Sequence, residues 1–208
     1  LDALLRGQVL SALGHLADDP TAIDFGLRHL AEVVDDFGSL QADVAAAVLG
    51  LGAAHGPAGT ADRLVEAHRR APTAQIAQQL LAAAARTRDP GAAAALVDAC
   101  LDGPVRKQDS AWVVARLLKN RHVRRSAWAR VRTRFDDLLA EVPPASLRYV
   151  ADGLSAVTEA DLAREISAFL SERPLPRATK KVAQSLEQME ANVAFAAREA
   201  PRIGDALG

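Results

Sequence analysis

The sequence predicts an all-α chain, and three observations carry that reading. Alanine, the strongest helix former, supplies 45 of the 208 residues. Apolar residues recur at spacings of three and four along almost the whole length, and no stretch alternates as a half-buried strand would. Aromatic residues are only 4% of the chain, which is low for a sheet protein.

The elements follow in order. Leu4, Leu5, Val9, Ala12, Leu13 and Leu16 form a first helical stripe. Asp19-Pro20 then supplies an N-cap and a proline at the first helical position, where a missing N–H costs nothing. The second stripe is Ile23, Leu27, Leu30, Val33 and Val34, and Phe37-Gly38-Ser39 ends it. A third helix over 41–54 stops at His55-Gly56-Pro57, and a fourth over 59–70 stops at Ala71-Pro72. A fifth spans 73–86. Asp89-Pro90 opens a sixth that runs to Leu101, and Gly103-Pro104 separates it from a seventh over 109–119. Further helices are expected over 123–140, 145–156, 159–171 and 177–199.

Short loops make consecutive helices antiparallel neighbours. Asp19-Pro20-Thr21-Ala22 and Asp89-Pro90-Gly91-Ala92 also echo each other 70 residues apart, each between two helices. That distance is about two helical-hairpin units. The expected architecture is therefore an α-solenoid of HEAT/armadillo-like antiparallel pairs, about ten or eleven helices in a single domain over 1–208. Trp112, Trp128, Phe135, Leu186 and Met189 are expected in its core.

Composition narrows the function. No run of eighteen apolar residues occurs, so no membrane-spanning helix is expected. One cysteine, Cys100, excludes an internal disulfide and a cysteine-based zinc ribbon. The chain opens at Leu1 with a helical pattern and no leader, which reads as a fragment of a longer, cytoplasmic protein.

The net charge of −1 hides an uneven distribution. Residues 1–104 carry 7 basic and 13 acidic side chains, residues 105–134 carry 10 and one, and residues 135–208 carry 8 and 12. Within the basic segment, Ala127, Trp128, Val131, Phe135 and Leu138 form an apolar stripe. Arg130 and Arg134 flank it on one side, Arg125 and Arg132 on the other. Two readings stand: a solvated helix whose arginines snorkel past a buried tryptophan, or a surface that meets a carboxylate, a phosphate or an acidic partner.

No catalytic constellation is visible. The five histidines include no H-E-x-x-H pair, no serine sits in a G-x-S-x-G elbow, and His29 with Glu32 reads as a surface pair. Gly50-Leu51-Gly52 lies inside a helical pattern and reads as close helix packing, not a dinucleotide loop. Cys100, beside Leu96 and Val97, reads as core.

The C-terminal half carries more than a pattern. V-R-K-Q-D at Val105–Asp109 is followed by Asn120, by S-A-W at Ser126–Trp128, by F-L-S-E-R-P-L-P at Phe169–Pro176, and by S-L-E-Q-M-E-A-N-V-A-F at Ser185–Phe195. In order and spacing this resembles the C-terminal helical domain of zinc aminopeptidases of the puromycin-sensitive and endoplasmic-reticulum type. L-x-x-L-G-x-L-x-D-D-P at Leu10–Pro20 resembles the same domain more loosely. Phe135 and Phe195 stand where that family has tryptophans, and are expected to keep a core role.

The resemblance implies a non-catalytic domain. No metal or cofactor is expected in this chain, and zinc is expected in the catalytic domain of the parent enzyme. The domain would cap that catalytic domain and line the peptide cavity, with its own catalytic domain and the peptide as partners, and neither nucleic acid nor membrane. Arg106 and Gln108 from the V-R-K-Q-D motif, and Arg130 and Arg134 from the charge pattern, are the candidates for facing the peptide. Asp109, Trp112, Trp128, Phe135, Asn192 and Phe195 are expected to be structural, with an Arg106–Asp109 ion pair as the alternative role for Arg106. Two other readings remain: a free-standing HEAT-like interaction scaffold, and a HEAT-like DNA glycosylase using the 105–134 arginines on phosphates.

Overall fold

A computed structural model of the chain describes residues 2–207. Among them lie twelve α-helices and no strand. They are α1 (Asp2–Leu16), α2 (Pro20–Asp35), α3 (Ala42–His55), α4 (Thr60–Arg69), α5 (Ala74–Ala84), α6 (Pro90–Asp102), α7 (Lys107–Lys119), α8 (Arg124–Thr133), α9 (Phe135–Glu141), α10 (Leu147–Leu154), α11 (Ala160–Glu172) and α12 (Thr179–Leu207).

The helices stack in two layers. The first runs α1, α3, α5, α7, α10, α12, each against the next. The second holds α2, α4, α6, α8 and α11, and consecutive helices pair across the layers as α2 with α3, α4 with α5, and α6 with α7. Local chemistry fixes the ends. Asp19 Oδ1 accepts from Ala22 N at 2.8 Å, and Asp89 Oδ1 accepts from Gly91 N at 2.7 Å, each ahead of a proline that starts its helix. Those two echoing turns meet in space: Arg88 donates to Asp18 at 2.7 Å across 70 residues.

One apolar core runs from Leu30 in α2 to Met189 in α12. Trp128 and Phe135 are each 2% exposed, and Phe169 meets both edge-on, with centroids 5.5 and 5.0 Å apart. The glycines of α1–α3 are packing devices. A Cβ on Gly14 would sit 2.2 Å from Leu51 Cδ2, and one on Gly52 would sit 2.4 Å from Leu30 Cδ1. Glycine alone lets these backbones approach so closely.

Four expectations need correction. The helix expected over 123–140 breaks at Arg134, whose φ of −107° and ψ of 28° end α8 and start α9. Thr133 Oγ1 donates back to Ala129 O at 2.9 Å, a bond that competes with the helical ladder. Trp112 and Leu186 are only partly buried, packed on the edge of the core. Phe195 is 58% exposed and lies under Arg198, not in the core. The last helix continues to Leu207 past Pro201, an exposed position where the lost backbone bond faces solvent.

Candidate functional site

The motif residues act chiefly as fasteners between turns. Asn120 Nδ2 donates to Ala85 O at 3.1 Å and Thr87 O at 2.8 Å. Ser126 Oγ donates to Pro90 O at 2.6 Å, and Asn192 Nδ2 to Ser155 O at 2.7 Å. Trp128 Nε1 donates to Glu165 at 3.0 Å. Within α7, Asp109 is buried and accepts from Trp112 Nε1 at 3.0 Å. The Arg106–Asp109 ion pair does not form; the Arg106 side chain is exposed, and its backbone carbonyl accepts from Asp109 N at 2.8 Å.

The arginines of α8 are tied down on both sides. Toward α6, Arg130 Nε and Nη2 grip Asp98 at 2.7 and 2.9 Å. Arg134 reaches Asp98 at 3.1 Å, Asp102 at 2.7 Å and Asp137 at 2.5 Å. Toward α11, Arg125 pairs with Asp161 at 2.9 Å and Arg132 with Glu165 at 2.8 Å. Arg124, buried, pairs with Glu159 at 3.3 Å and donates to Ala156 O. Asp102 holds the Arg134 guanidinium above its usual pKa, with Asp137 second, and Arg134 in turn holds Asp102 below the usual carboxylate range. This part of the basic segment is a pair of seams joining α8 to its neighbours in the second layer.

The first layer differs. Across the ends of α1, α5 and α7 lies a cleft of about 400 Å³, lined by His15, Arg86, Arg88, Arg116, Lys119, Asn120, Arg121 and His122. Arg88 pairs with Asp18, and Lys119 with Asp152 at 2.5 Å. Arg86, Arg116 and Arg121 have no carboxylate partner among the described residues. Arg116 lies 5.5 Å over the Trp112 ring. Arg86 crosses α3 at Gly50, where a Cβ would come within 2.9 Å of its Cδ and 3.2 Å of His15 Nε2.

The crowded cations leave a mark on one another. Burial first, then Arg86, His55 and Arg88, lower the His15 pKa from 6.5 to about 4. Burial, then Arg88 and Arg121, lower that of His122. Burial, then Arg116, lower that of Arg86. His15 Nε2 is buried and has no hydrogen-bond partner among the described residues. A second hollow of about 310 Å³, lined by Gln78, Ala82, Trp112, Arg116 and Tyr149, adjoins the cleft through Ala82 and Arg116.

The structure therefore divides the four sequence candidates. Gln108 is exposed and lies one helical turn before Trp112 and two before Arg116, on the same face of α7. Arg106, at the N-cap of α7, precedes it. Arg130 and Arg134 are on α8 in the second layer, held by Asp98 and Asp102 of α6, and do not join Gln108. The sequence reading missed Arg86, Arg116 and Arg121. The four-residue spacing of Gln108, Trp112 and Arg116 could have found Arg116; Arg86 lies in the turn after α5, where local pattern carries no such signal.

Among the described residues no group of three or more His, Cys, Asp or Glu side chains is placed to hold a metal ion. His29 pairs with Glu32 at 3.1 Å on the surface. Burial pushes the Cys100 thiol well above its usual pKa, so it is a packing residue and not a nucleophile. Among the described residues no helix is long and apolar enough to cross a membrane.

Two stacked layers of helices, with motif residues that fasten one turn to the next, define a helical-repeat domain. The chain belongs to the family described as the ERAP1-like C-terminal domain, whose profile matches residues 1–191. These are C-terminal domains of ERAP1-like aminopeptidases.

Proposed function

We propose that this chain is the non-catalytic C-terminal domain of a zinc-dependent aminopeptidase, and that it caps the catalytic domain and lines the peptide cavity. The amino end of the substrate and the zinc belong to the catalytic domain, in a cytoplasmic parent enzyme. The carboxyl end of a long peptide runs onto the open face of the first layer. The observation that carries this reading is the contrast in pairing: the α8 arginines are neutralised by carboxylates, while Arg86, Arg116 and Arg121 line a cleft without one among the described residues. An arginine can meet a peptide carboxylate with two parallel hydrogen bonds.

Gln108, with Arg106 at the start of α7, extends that face and would contact the peptide upstream of its end. Arg130 and Arg134 serve as fasteners in this reading. The same pairing argues against nucleic acid, because a groove tracking phosphates needs unpaired cations along its length.

The test uses the full-length enzyme with a dipeptide and a long peptide. Arg116→Ala should raise KM for the long peptide and leave the dipeptide nearly unchanged. Arg130→Ala should change neither KM. Equal effects of Arg116→Ala on both substrates would show that this face does not contact the peptide.

A further inference from the structure

The cleft holds more positive charge than one carboxylate can match. A peptide carboxylate takes two parallel bonds from one guanidinium, yet Arg86, Arg116 and Arg121 all lie there without a carboxylate partner among the described residues. Of the cleft's other cations, Arg88 is already paired with Asp18 at 2.7 Å and Lys119 with Asp152 at 2.5 Å. We propose that the cleft selects peptides carrying an acidic side chain at the carboxyl terminus, so that two carboxylates enter together. This rests on the reading above, in which the carboxyl end of the peptide arrives there.

The walls are built to hold these cations in place. Gly50 lets the Arg86 stem lie flat across α3. The Trp112 ring supports Arg116 from below. Asn120 is bonded to two carbonyls of the α5–α6 turn and, through Oδ1, to His122 N at 3.1 Å, which fixes the loop carrying Arg121 and His122. These contacts support Arg86 and Arg116 and fix the backbone beside Arg121, which lowers the ordering cost of recognition. Burial, then repulsion from Arg116, lower the Arg86 pKa; burial, then Arg86, His55 and Arg88, lower that of His15, and burial, then Arg88 and Arg121, that of His122. Two negative charges would relieve that repulsion; one leaves part of it. The volume of about 400 Å³ lies within the range of small-ligand sites and admits the end of a chain together with its last side chain. Elsewhere in the molecule Arg134 alone gathers three carboxylates, which shows how far this chain goes to neutralise a guanidinium when partners are within reach.

The experiment measures fluorescence anisotropy of a long peptide labelled at its amino end, mixed with this chain. Three versions are compared: ending in Glu, ending in Gln, and ending in Glu with an amidated carboxyl terminus. Inorganic phosphate serves as a competitor. The Glu-ended peptide should bind about tenfold more tightly than the Gln-ended one. That advantage should disappear in the Arg86→Ala/Arg116→Ala double variant and persist in Arg130→Ala. Circular dichroism melts check that each variant is folded, and Arg116→Gln gives the same comparison with less change of shape. Equal affinity for the Glu and Gln ends, with amidation still weakening binding, would overturn the acidic preference and leave the carboxyl-end reading standing. Binding indifferent to amidation and to Arg116 would remove both. Phosphate displacing the peptide at equal concentration would mark a general anion site and overturn the selection.

Discussion

Arg134 and Arg116 come from the same basic stretch, and the fold treats them in opposite ways. Arg134, on the second layer, is 19% exposed and bonded to Asp98, Asp102 and Asp137. Arg116, on the first layer, is exposed, rests on Trp112 and has no carboxylate partner among the described residues. The difference is topological. α8 sits between α6 and α11, and both present acids: Asp98 and Asp102 on one side, Asp161 and Glu165 on the other. The open face of α7 turns toward Arg86 and Tyr149. Charge density along a sequence therefore does not reveal which cations are available; the neighbouring turns of the stack decide it.

The largest effect should come from Trp128→Ala at the centre of the seams. It leaves a cavity beside Phe169 and frees Glu165 of its indole donor, and should cost about 3–5 kcal/mol. Chemical denaturation checks this, and peptide binding by the folded fraction should be unchanged. Arg134→Ala comes next. Its pairs are partly solvated, so the loss should be about 1 kcal/mol, seen as a lower Tm, again with the cleft intact.

Acid should separate the two regions in a single titration. His15 binds its proton less readily in the folded chain than in the unfolded one, because of burial, Arg86, His55 and Arg88, opposed only by Asp18. Stability should therefore fall as pH drops from 6.5 toward about 4, and His15→Gln should flatten that slope. The seams respond later. Asp102 and Asp161 titrate below the usual carboxylate range, so their contribution is present above that range and is lost only as pH falls through the lower folded values. A slope that survives His15→Gln would assign the early loss to another group. The smallest effect should be that of Arg116→Ala on stability, within about 0.5 kcal/mol of zero, since it removes a cation without an acidic partner from a repulsive cleft. A larger loss by thermal melting would make Arg116 a structural residue and blur the contrast.

Much of the fold was legible in the sequence because helix signals are local. Asp19-Pro20 and Asp89-Pro90 start helices as read, and the stripe Ala127, Trp128, Val131, Phe135, Leu138 is buried throughout. Where the reading missed, the deciding contact was distant. Arg130 and Arg134 look available in the sequence because Asp98 and Asp102, respectively, lie 32 residues upstream of them, in a different charge window; of the acids that Arg134 meets, Asp137 is the local one, three residues on. Phe195 reads as core from the resemblance, since it stands where that family has a tryptophan, but its side chain is 58% exposed. The break at Arg134 coincides with a side-chain bond from Thr133 to Ala129 O, which periodicity does not register. The cleft escaped notice because Arg86 and Arg116 belong to different turns.

The cross-links repeat at nearly one interval: 32 residues for Arg130 with Asp98, 33 for Lys119 with Asp152, 36 for Ser126 with Pro90, 37 for Asn192 with Ser155. That regularity governs which changes of length the chain can survive. A change of length confined to a turn leaves the helix faces that carry these bonds in place. A single inserted residue within α8 would rotate everything after it by about 100°, turning Arg130 away from α6 and Trp128's apolar neighbours out of the core. Insertions should therefore be tolerated within the turns and be destabilising inside the second-layer helices.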